Sequence, residues 1–391
     1  MKIVDVCAFY APRGGGVKTY IDRKLAAGPA RGHEIIVLAP GKERHTEIRG
    51  PQARIEYIPA PRFPFDRAYR YFPDQESIHA ELDRLRPDMV EASSPWRAAE
   101  AVANWPGAAP RALMMHADPL AAYAYRWFGP VASRETIDRG FDWFWRHLRR
   151  LDERYDLVVS PSRSLADRLE EGGLRNVVTH PLGIVPGEFT PERRDPALRQ
   201  QLLARCGLGP EATLLLGIGR HAPEKRWPMV VDACVAAACE QPVGLVLVGD
   251  GRERAKVVRH VGPNPHVLML APITDRPALA RLMASADALI HGCEAETFCL
   301  VASEARAAGL PLIAPDRGGA SDQARESGGE VYRSADAGSA AQAILRLIDR
   351  GVERLGAEAQ ARAASTRTLD QHFTELFERY EAIVNRAVRA A

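Results

Sequence analysis

Short apolar runs rich in β-branched residues recur along the whole chain with helical stretches between them, and this alternation is the strongest constraint on the fold. The runs are "KIVDVCAF", "EIIVLAP", "DMVEASS", "RALMMHA" and "DLVVSPS", then "TLLLGIG", "GLVLVGDG", "HVLML", "ADALIHG" and "LPLIAPD". Helical segments such as "ESIHAELDRLRP", "SRSLADRLEEGG" and "WPMVVDACVAAACEQP" lie between them. Strands buried on both faces read as continuous apolar runs, and strand–helix alternation makes such strands parallel. Each half is therefore predicted to be a doubly wound α/β domain, which binds ligands at the carboxyl ends of its strands. The Pro- and Gly-rich stretch "HPLGIVPGEFTPERRDP" interrupts the alternation. It places a boundary near residue 187, so that 1–187 and 188–371 are the two domains, with a terminal amphipathic helix over about 372–391 joining the first.

Bulk properties exclude several classes. A net charge of +2 over 391 residues lacks the basic excess of a nucleic-acid binder, although what excess there is lies in the N-terminal half. The 6 cysteines show no C-x-x-C spacing, which argues against a zinc site or a disulfide framework and for a reducing cytoplasm. Asp5 inside the first apolar run speaks against a secretory signal, and no stretch reaches the length of a bilayer span. A cytoplasmic protein, soluble or peripheral at the inner face of the membrane, is expected.

Three motifs invite misassignment. Gly14, Gly15 and Gly16 stand between the first strand and a helix, where backbone N–H groups and the helix dipole can hold an anion, but Val17 precedes Lys18 and Thr19 where a Walker loop needs Gly-Lys-Ser/Thr. "GIGRHA" has the form of a dinucleotide fingerprint, yet Pro223, Lys225 and Pro228 interrupt the turn and the acidic Asp250 comes too late. No Asp-x-Asp occurs to hold a divalent cation under a diphosphate, so no metal is expected.

Protein cations would then have to neutralise any bound diphosphate, and "GRHAPEKRWP" supplies Arg220 and Lys225 just after a strand. Further on, "EAETFCLVASEARAAGLP" places Glu296 in a loop and Glu304 inside a helix predicted from about Phe298 to Ala308, ended by Gly309. The amides of Phe298, Cys299 and Leu300 are expected at the helix N-terminus, facing the same crevice as Arg220 and Lys225. Alone, a Glu-x7-Glu spacing is weak, because a chain this rich in glutamate contains roughly one such pair by chance.

Taken together, "PRGGGVKTYI", "VVSPSRSLADRL", "HPLGIVPGEFTP", "LLLGIGRHAPEKRW", "LVLVGDGRER" and "EAETFCLVASEARAAGLPLIAPDRGG" resemble the retaining glycosyltransferases of family 4 (group 1), in the same order and over most of the chain. The resemblance implies the GT-B fold, two facing Rossmann-like domains with an interdomain cleft. It implies that Arg220 and Lys225 clamp the donor diphosphate, Glu296 lies beside the sugar hydroxyls and Glu304 accepts from the ribose. Gly15, Gly16 and His116 would reach the donor from the N-terminal domain, and Ile273 in the loop "APIT" would meet the base. Transfer would proceed by front-face attack, the leaving phosphate taking the acceptor proton, with a nucleotide sugar, UDP-linked by expectation, as substrate and no cofactor. Thr297 and Cys299 replace the two glycines of the Glu-Gly-Phe-Gly-Leu pattern frequent in the family. A non-catalytic sugar-nucleotide-binding protein and an NAD-dependent dehydrogenase are the alternatives.

For the acceptor, two aromatic and basic segments in the N-terminal half stand out, 61–72 and 125–151. On a helix, Phe141, Phe144, Trp145, Leu148 and Leu151 share one face, while Trp143, Arg146, His147 and Arg150 point elsewhere. That second face suits an anionic membrane surface and a lipid acceptor such as diacylglycerol or a prenyl-linked glycan. A core stripe with a solvated basic side, and a soluble sugar or natural-product acceptor, is the alternative.

Overall fold

The computed structural model describes residues 1–10, 15–63, 69–129 and 131–390. The chain divides into two compact units, Met1–Pro181 with Leu369–Ala391, and Leu182–Thr368. The passage between them lies at 181/182 and 368/369 rather than at 187 and 371, because Ile184 already bridges to Thr368 within the second unit.

In the first unit, β1 (Lys2–Val6), β2 (Glu34–Gly41), β3 (His45–Gly50), β4 (Ala53–Pro59), β5 (Met89–Ala92), β6 (Arg111–Met114), β7 (Leu157–Ser160) and β8 (Val177–Thr179) form a sheet in the order β3-β4-β2-β1-β5-β6-β7-β8. Only the β3–β4 pair is antiparallel. Continuous apolar runs predicted β1, β2, β5, β6 and β7. They missed the polar, exposed β3, its partner β4 and the three-residue edge strand β8.

The second unit holds β9 (Thr213–Ile218), β10 (Val243–Val248), β11 (Val267–Leu270), β12 (Ala288–Ile290), β13 (Leu312–Pro315) and β14 (Glu330–Tyr332), all parallel, in the order β11-β10-β9-β12-β13-β14. Alternate residues feed cores on opposite faces. Leu214, Leu216, Val246 and Val248 enter one, and Leu215, Leu245, Leu247 and Ile290 the other. Burial on both faces is why these strands carry no polar alternation. The strand order reverses between β9 and β12, and a doubly wound sheet opens its ligand crevice at the carboxyl ends of such a pair.

The helix Leu369–Ala390 belongs to the first unit, where Phe373, Leu376, Phe377 and Tyr380 are buried. Its Tyr380 hydroxyl donates to Glu91 Oε2 at 2.5 Å. The same Glu91 oxygen lies 2.6 Å from Lys24 Nζ, which also reaches Asp5 Oδ2 at 3.1 Å, and all three charged side chains are fully buried. Ser93 Oγ donates to the other Asp5 oxygen at 2.8 Å. One ammonium thus holds two carboxylates from adjacent strands inside the unit, and the terminal helix is fastened to one of them.

Removing that ammonium strands two buried carboxylates. Lys24→Met is expected to lower stability by about 3–5 kcal/mol, the usual cost of breaking a buried ion pair from one side, measured by urea unfolding.

Candidate functional site

β9 runs into a loop that carries Arg220, then a short turn Pro223–Lys225, then the helix Trp227–Ala238 with Pro228 in its first turn. Trp227 is buried, and its Nε1–H donates to the Arg220 carbonyl at 3.1 Å, which fixes the course of the loop. The Arg220 side chain is exposed and lies 3.3 Å from Glu224. Across the switch point, β12 runs into His291, Gly292 and the loop 293–299. A β-carbon on Gly292 would stand 2.4 Å from the Lys225 carbonyl oxygen, so the two loops touch at a position where only hydrogen fits.

Two ion pairs fasten these loops side by side: Lys225 Nζ on Glu296 Oε1, and the Arg226 guanidinium on both oxygens of Glu294. Burial opposes ionisation of Glu296, but the Lys225 ammonium and a hydrogen bond from His291 outweigh it and hold the carboxyl well below the ordinary carboxylate range. The same carboxylate outweighs the burial of Lys225 and raises its pKa. Lys225 and Glu296, both singled out in the sequence, meet here; Arg226, which was not, has a left-handed φ of 49° just before the helix.

His291, 2% exposed, sits behind this pair with Nε2 at 3.3 Å from Glu296 Oε1 and 3.7 Å from Cys299 Sγ. Donor atoms of His291, Glu296 and Cys299 all lie within 4.8 Å of one another. The Lys225 ammonium already neutralises the carboxylate and would repel a second cation at the same oxygen, so the cluster reads as a hydrogen-bonded one. Burial, reinforced by Glu296, pushes the Cys299 thiol well above its usual range and keeps it protonated.

The helix after this loop spans Leu300–Ala307, not Phe298–Ala308. Cys299 precedes it with φ 72°, a left-handed conformation that cannot continue an α-helix, and the buried Gln323 amide donates to the Phe298 and Cys299 carbonyls at 2.5 and 3.1 Å. Of the three amides expected at the helix N-terminus, Leu300 is therefore the first helical residue, and Phe298 and Cys299 lie in the approach to it. Behind the loop, Gly319 N–H donates to the Glu296 carbonyl at 2.7 Å, and a β-carbon on Gly319 would lie 2.6 Å from Phe298 Cα.

Glu304 projects from this helix to Arg276, whose Nη2 is 2.7 Å from Glu304 Oε1 and which also holds Glu188 Oε1 at 2.6 Å. Burial raises the pKa of Glu304, with Arg276 partly offsetting it. Ile273 lines a cavity of about 630 Å³ together with Leu270, Asp275 and Leu282. Asp275 occupies the N-cap position of the helix Arg276–Ser285 without capping it.

In the first unit, Gly15 precedes and Gly16 begins the helix Gly16–Ala27, and no atom of the described residues lies within 4 Å of a β-carbon placed on Gly15. Gly14 lies outside the described residues. His116 follows β6, its ring edge-on to Tyr20 with centroids 4.8 Å apart, and burial brings its pKa down to about 4. After β6 the chain continues through helices Tyr125–Phe128, Arg134–Gly140 and Asp142–Asp152. Phe144, Trp145, Leu148 and Leu151 are buried as the periodicity predicts, and Phe141 is half-buried. Trp143, Arg146 and Arg150 are exposed, whereas His147 Nε2–H donates inward to the Pro95 carbonyl at 2.7 Å. Tyr123, Trp127, Phe128 and Val131 add to the exposed apolar surface. Of the segment 61–72, residues 64–68 lie outside the described residues, Phe63 is exposed and Phe72 is buried. Among the described residues no helix is long and apolar enough to cross a membrane.

Comparison with known proteins agrees with this architecture. The sequence model "Glycosyltransferase Family 4" matches residues 14–187 and "Glycosyl transferases group 1" matches 202–364. The chain is 32% identical over 325 residues to a GDP-mannose-dependent alpha-(1-6)-phosphatidylinositol dimannoside mannosyltransferase of Mycobacterium tuberculosis, covering 80% of this chain and 79% of that one. It is 29% identical to a GDP-mannose-dependent alpha-mannosyltransferase of Mycolicibacterium smegmatis over the full length of both. Among solved structures, a sucrose-phosphate synthase from Thermosynechococcus elongatus superposes with a TM-score of 0.76 at 20% identity, covering 99% of this chain and 100% of that one, which shows the same GT-B fold.

Proposed function

Because this chain belongs to the family 4 glycosyltransferases, we propose that it transfers a mannosyl group from GDP-mannose to a hydroxyl of a lipid-borne glycan, with retention and without a metal. The observation that carries the reading is the Lys225–Glu296 pair at the strand-order switch of a chain whose relatives are named for GDP-mannose. The UDP-linked donor expected from the sequence gives way to this one. A phosphoinositol-based acceptor follows from the name of the 32% identical relative.

In this proposal Lys225 and Arg220 neutralise the diphosphate, and their effect grows as charge develops on the leaving group. The bond from the anomeric carbon to the phosphate oxygen breaks, the acceptor oxygen bonds to the same face of that carbon, and its proton passes to the departing phosphate. Glu296 positions sugar hydroxyls, Glu304 with Arg276 borders the ribose, and the amides of Phe298, Cys299 and Leu300 contact phosphate. Ile273 lies against the base. Asp275 beside it offers a carboxylate that its own helix does not use, and a carboxylate accepts from both N1–H and the exocyclic amine of guanine, whereas uracil presents a single N–H between two carbonyls. Gly15, Gly16 and His116 border the carboxyl edge of the first unit's sheet. The exposed aromatic and arginine surface of 125–151, with Phe63 of 61–72, would rest on an anionic membrane bearing the acceptor.

Three experiments test these roles. Lys225→Ala and Glu296→Ala are each expected to lower turnover of GDP-mannose by about 100-fold or more while circular dichroism stays native; full turnover removes that residue from the site. GDP is expected to raise the melting temperature more than UDP or ADP, and NAD not at all, with Asp275→Ala erasing the preference for GDP. Cosedimentation with phosphatidylglycerol or phosphatidylinositol vesicles is expected to fall in Trp143→Ala and Arg150→Ala, and no binding of the native chain to either vesicle would point to a soluble acceptor.

A further inference from the structure

His291 is a side chain of the cluster at the switch point to which neither the sequence nor the proposed chemistry gives a part. It follows β12 directly, and the Tyr332 hydroxyl donates to its carbonyl at 2.6 Å, so its backbone is fixed from the neighbouring strand region. Its ring is enclosed: Nε2 faces Glu296 Oε1 at 3.3 Å and Cys299 Sγ at 3.7 Å, while Nδ1 is buried with no hydrogen-bond partner among the described residues.

This asymmetry determines the tautomer. Glu296 is ionised beside Lys225, so Nε2 must carry the hydrogen and donate it, and Nδ1 keeps the bare lone pair. A second proton on Nδ1 would bury an N–H with no partner among the described residues, and burial, with the Lys225 charge adding to it, lowers the ring's pKa from its ordinary value. The ring is a neutral donor through Nε2. Cys299 explains why it stays there: its protonated thiol fills the space beside Nε2 that a glycine would leave open.

Resting on the proposed role of Glu296, we infer that His291 is a positioning residue for the sugar-binding carboxylate. Lys225 and His291 both bind Glu296 Oε1, which leaves Oε2 as the oxygen free to accept from a sugar hydroxyl. Without the Nε2–H, the carboxylate is held by the flexible lysine alone and can follow that ammonium toward the diphosphate. A displacement of this kind at a substrate-positioning group costs up to about 100-fold in rate.

The test compares His291→Met, which fills the space without a donor, with His291→Gln, whose amide N–H can reach the same oxygen. Turnover is measured with the sugar nucleotide that the native chain uses, so a donor other than GDP-mannose would overturn the earlier donor assignment without touching this one. Affinity for the free nucleoside diphosphate is measured in parallel, because that ligand lacks the sugar. The Met variant is expected to lose between tenfold and about 100-fold in kcat with diphosphate affinity within about twofold of native, and the Gln variant to recover most of the loss. Should Met prevent folding, His291→Asn, polar but too short to reach, replaces it in the comparison with Gln. Native kcat in the variant without the donor, or an equal fall of kcat and diphosphate affinity in both variants, would overturn the inference.

Discussion

The contact between the Lys225 ammonium and the Glu296 carboxylate organises the second unit's carboxyl edge. It joins loops that are far apart in sequence and adjacent in space only because β9 and β12 are neighbours across the reversal of strand order. A half-buried ion pair is favourable only where further hydrogen bonds satisfy the charges, and here His291 adds a second contact to the same carboxylate oxygen while Arg226 and Glu294 repeat the link beside it. An anion that approaches Lys225 therefore meets a cation already desolvated and oriented, and must compete with Glu296 for it.

What holds the loop 293–299 in place comes largely from outside it. Gly318 and Gly319 press against the carbonyls of Glu294, Thr297 and Phe298 at distances that exclude a side chain, and Gln323 ties the two carbonyls before the helix. This is compatible with Thr297 and Cys299 standing at the glycine positions of the Glu-Gly-Phe-Gly-Leu pattern. The loop's rigidity does not depend on its own small residues, and Cys299 adopts the left-handed conformation that a glycine would take with less strain because the surroundings fix it.

The strands with two buried faces were legible, since burial on both sides leaves an unbroken apolar run, and Arg220, Lys225, Glu296 and Glu304, singled out in the sequence, lie after strand ends or on the helix that follows. Strands β3, β4, β8 and β14 were not legible: β3 is exposed and polar, β4 mixes buried with half-buried residues, and β8 and β14 are three-residue edges whose pairing is decided by the sheet and not by their own composition. The helix start at Leu300 escaped because nothing in "TFCL" announces a left-handed cysteine. His291 and Arg276 are single residues whose meaning lies in partners far along the chain, Glu296 and Glu304 in turn, and only the fold brings them together. The aromatic stripe of 141–151 was read correctly on its buried side, because periodicity reports the face toward the core and is silent about what the other face meets.

The closing helix Leu369–Ala390 makes the first unit discontinuous, with the second unit enclosed between Pro181 and Leu369. Chains usually complete their domains in the order of synthesis. Here the order inverts. Residues 182–368 leave the ribosome as a whole unit while the first still lacks Phe373, Phe377 and Tyr380, and Glu91 waits with Lys24 for the hydroxyl that closes its site. The half of the protein translated first is thus the last to finish its core, and a chain shortened at its C-terminus would damage the unit that contains its N-terminus.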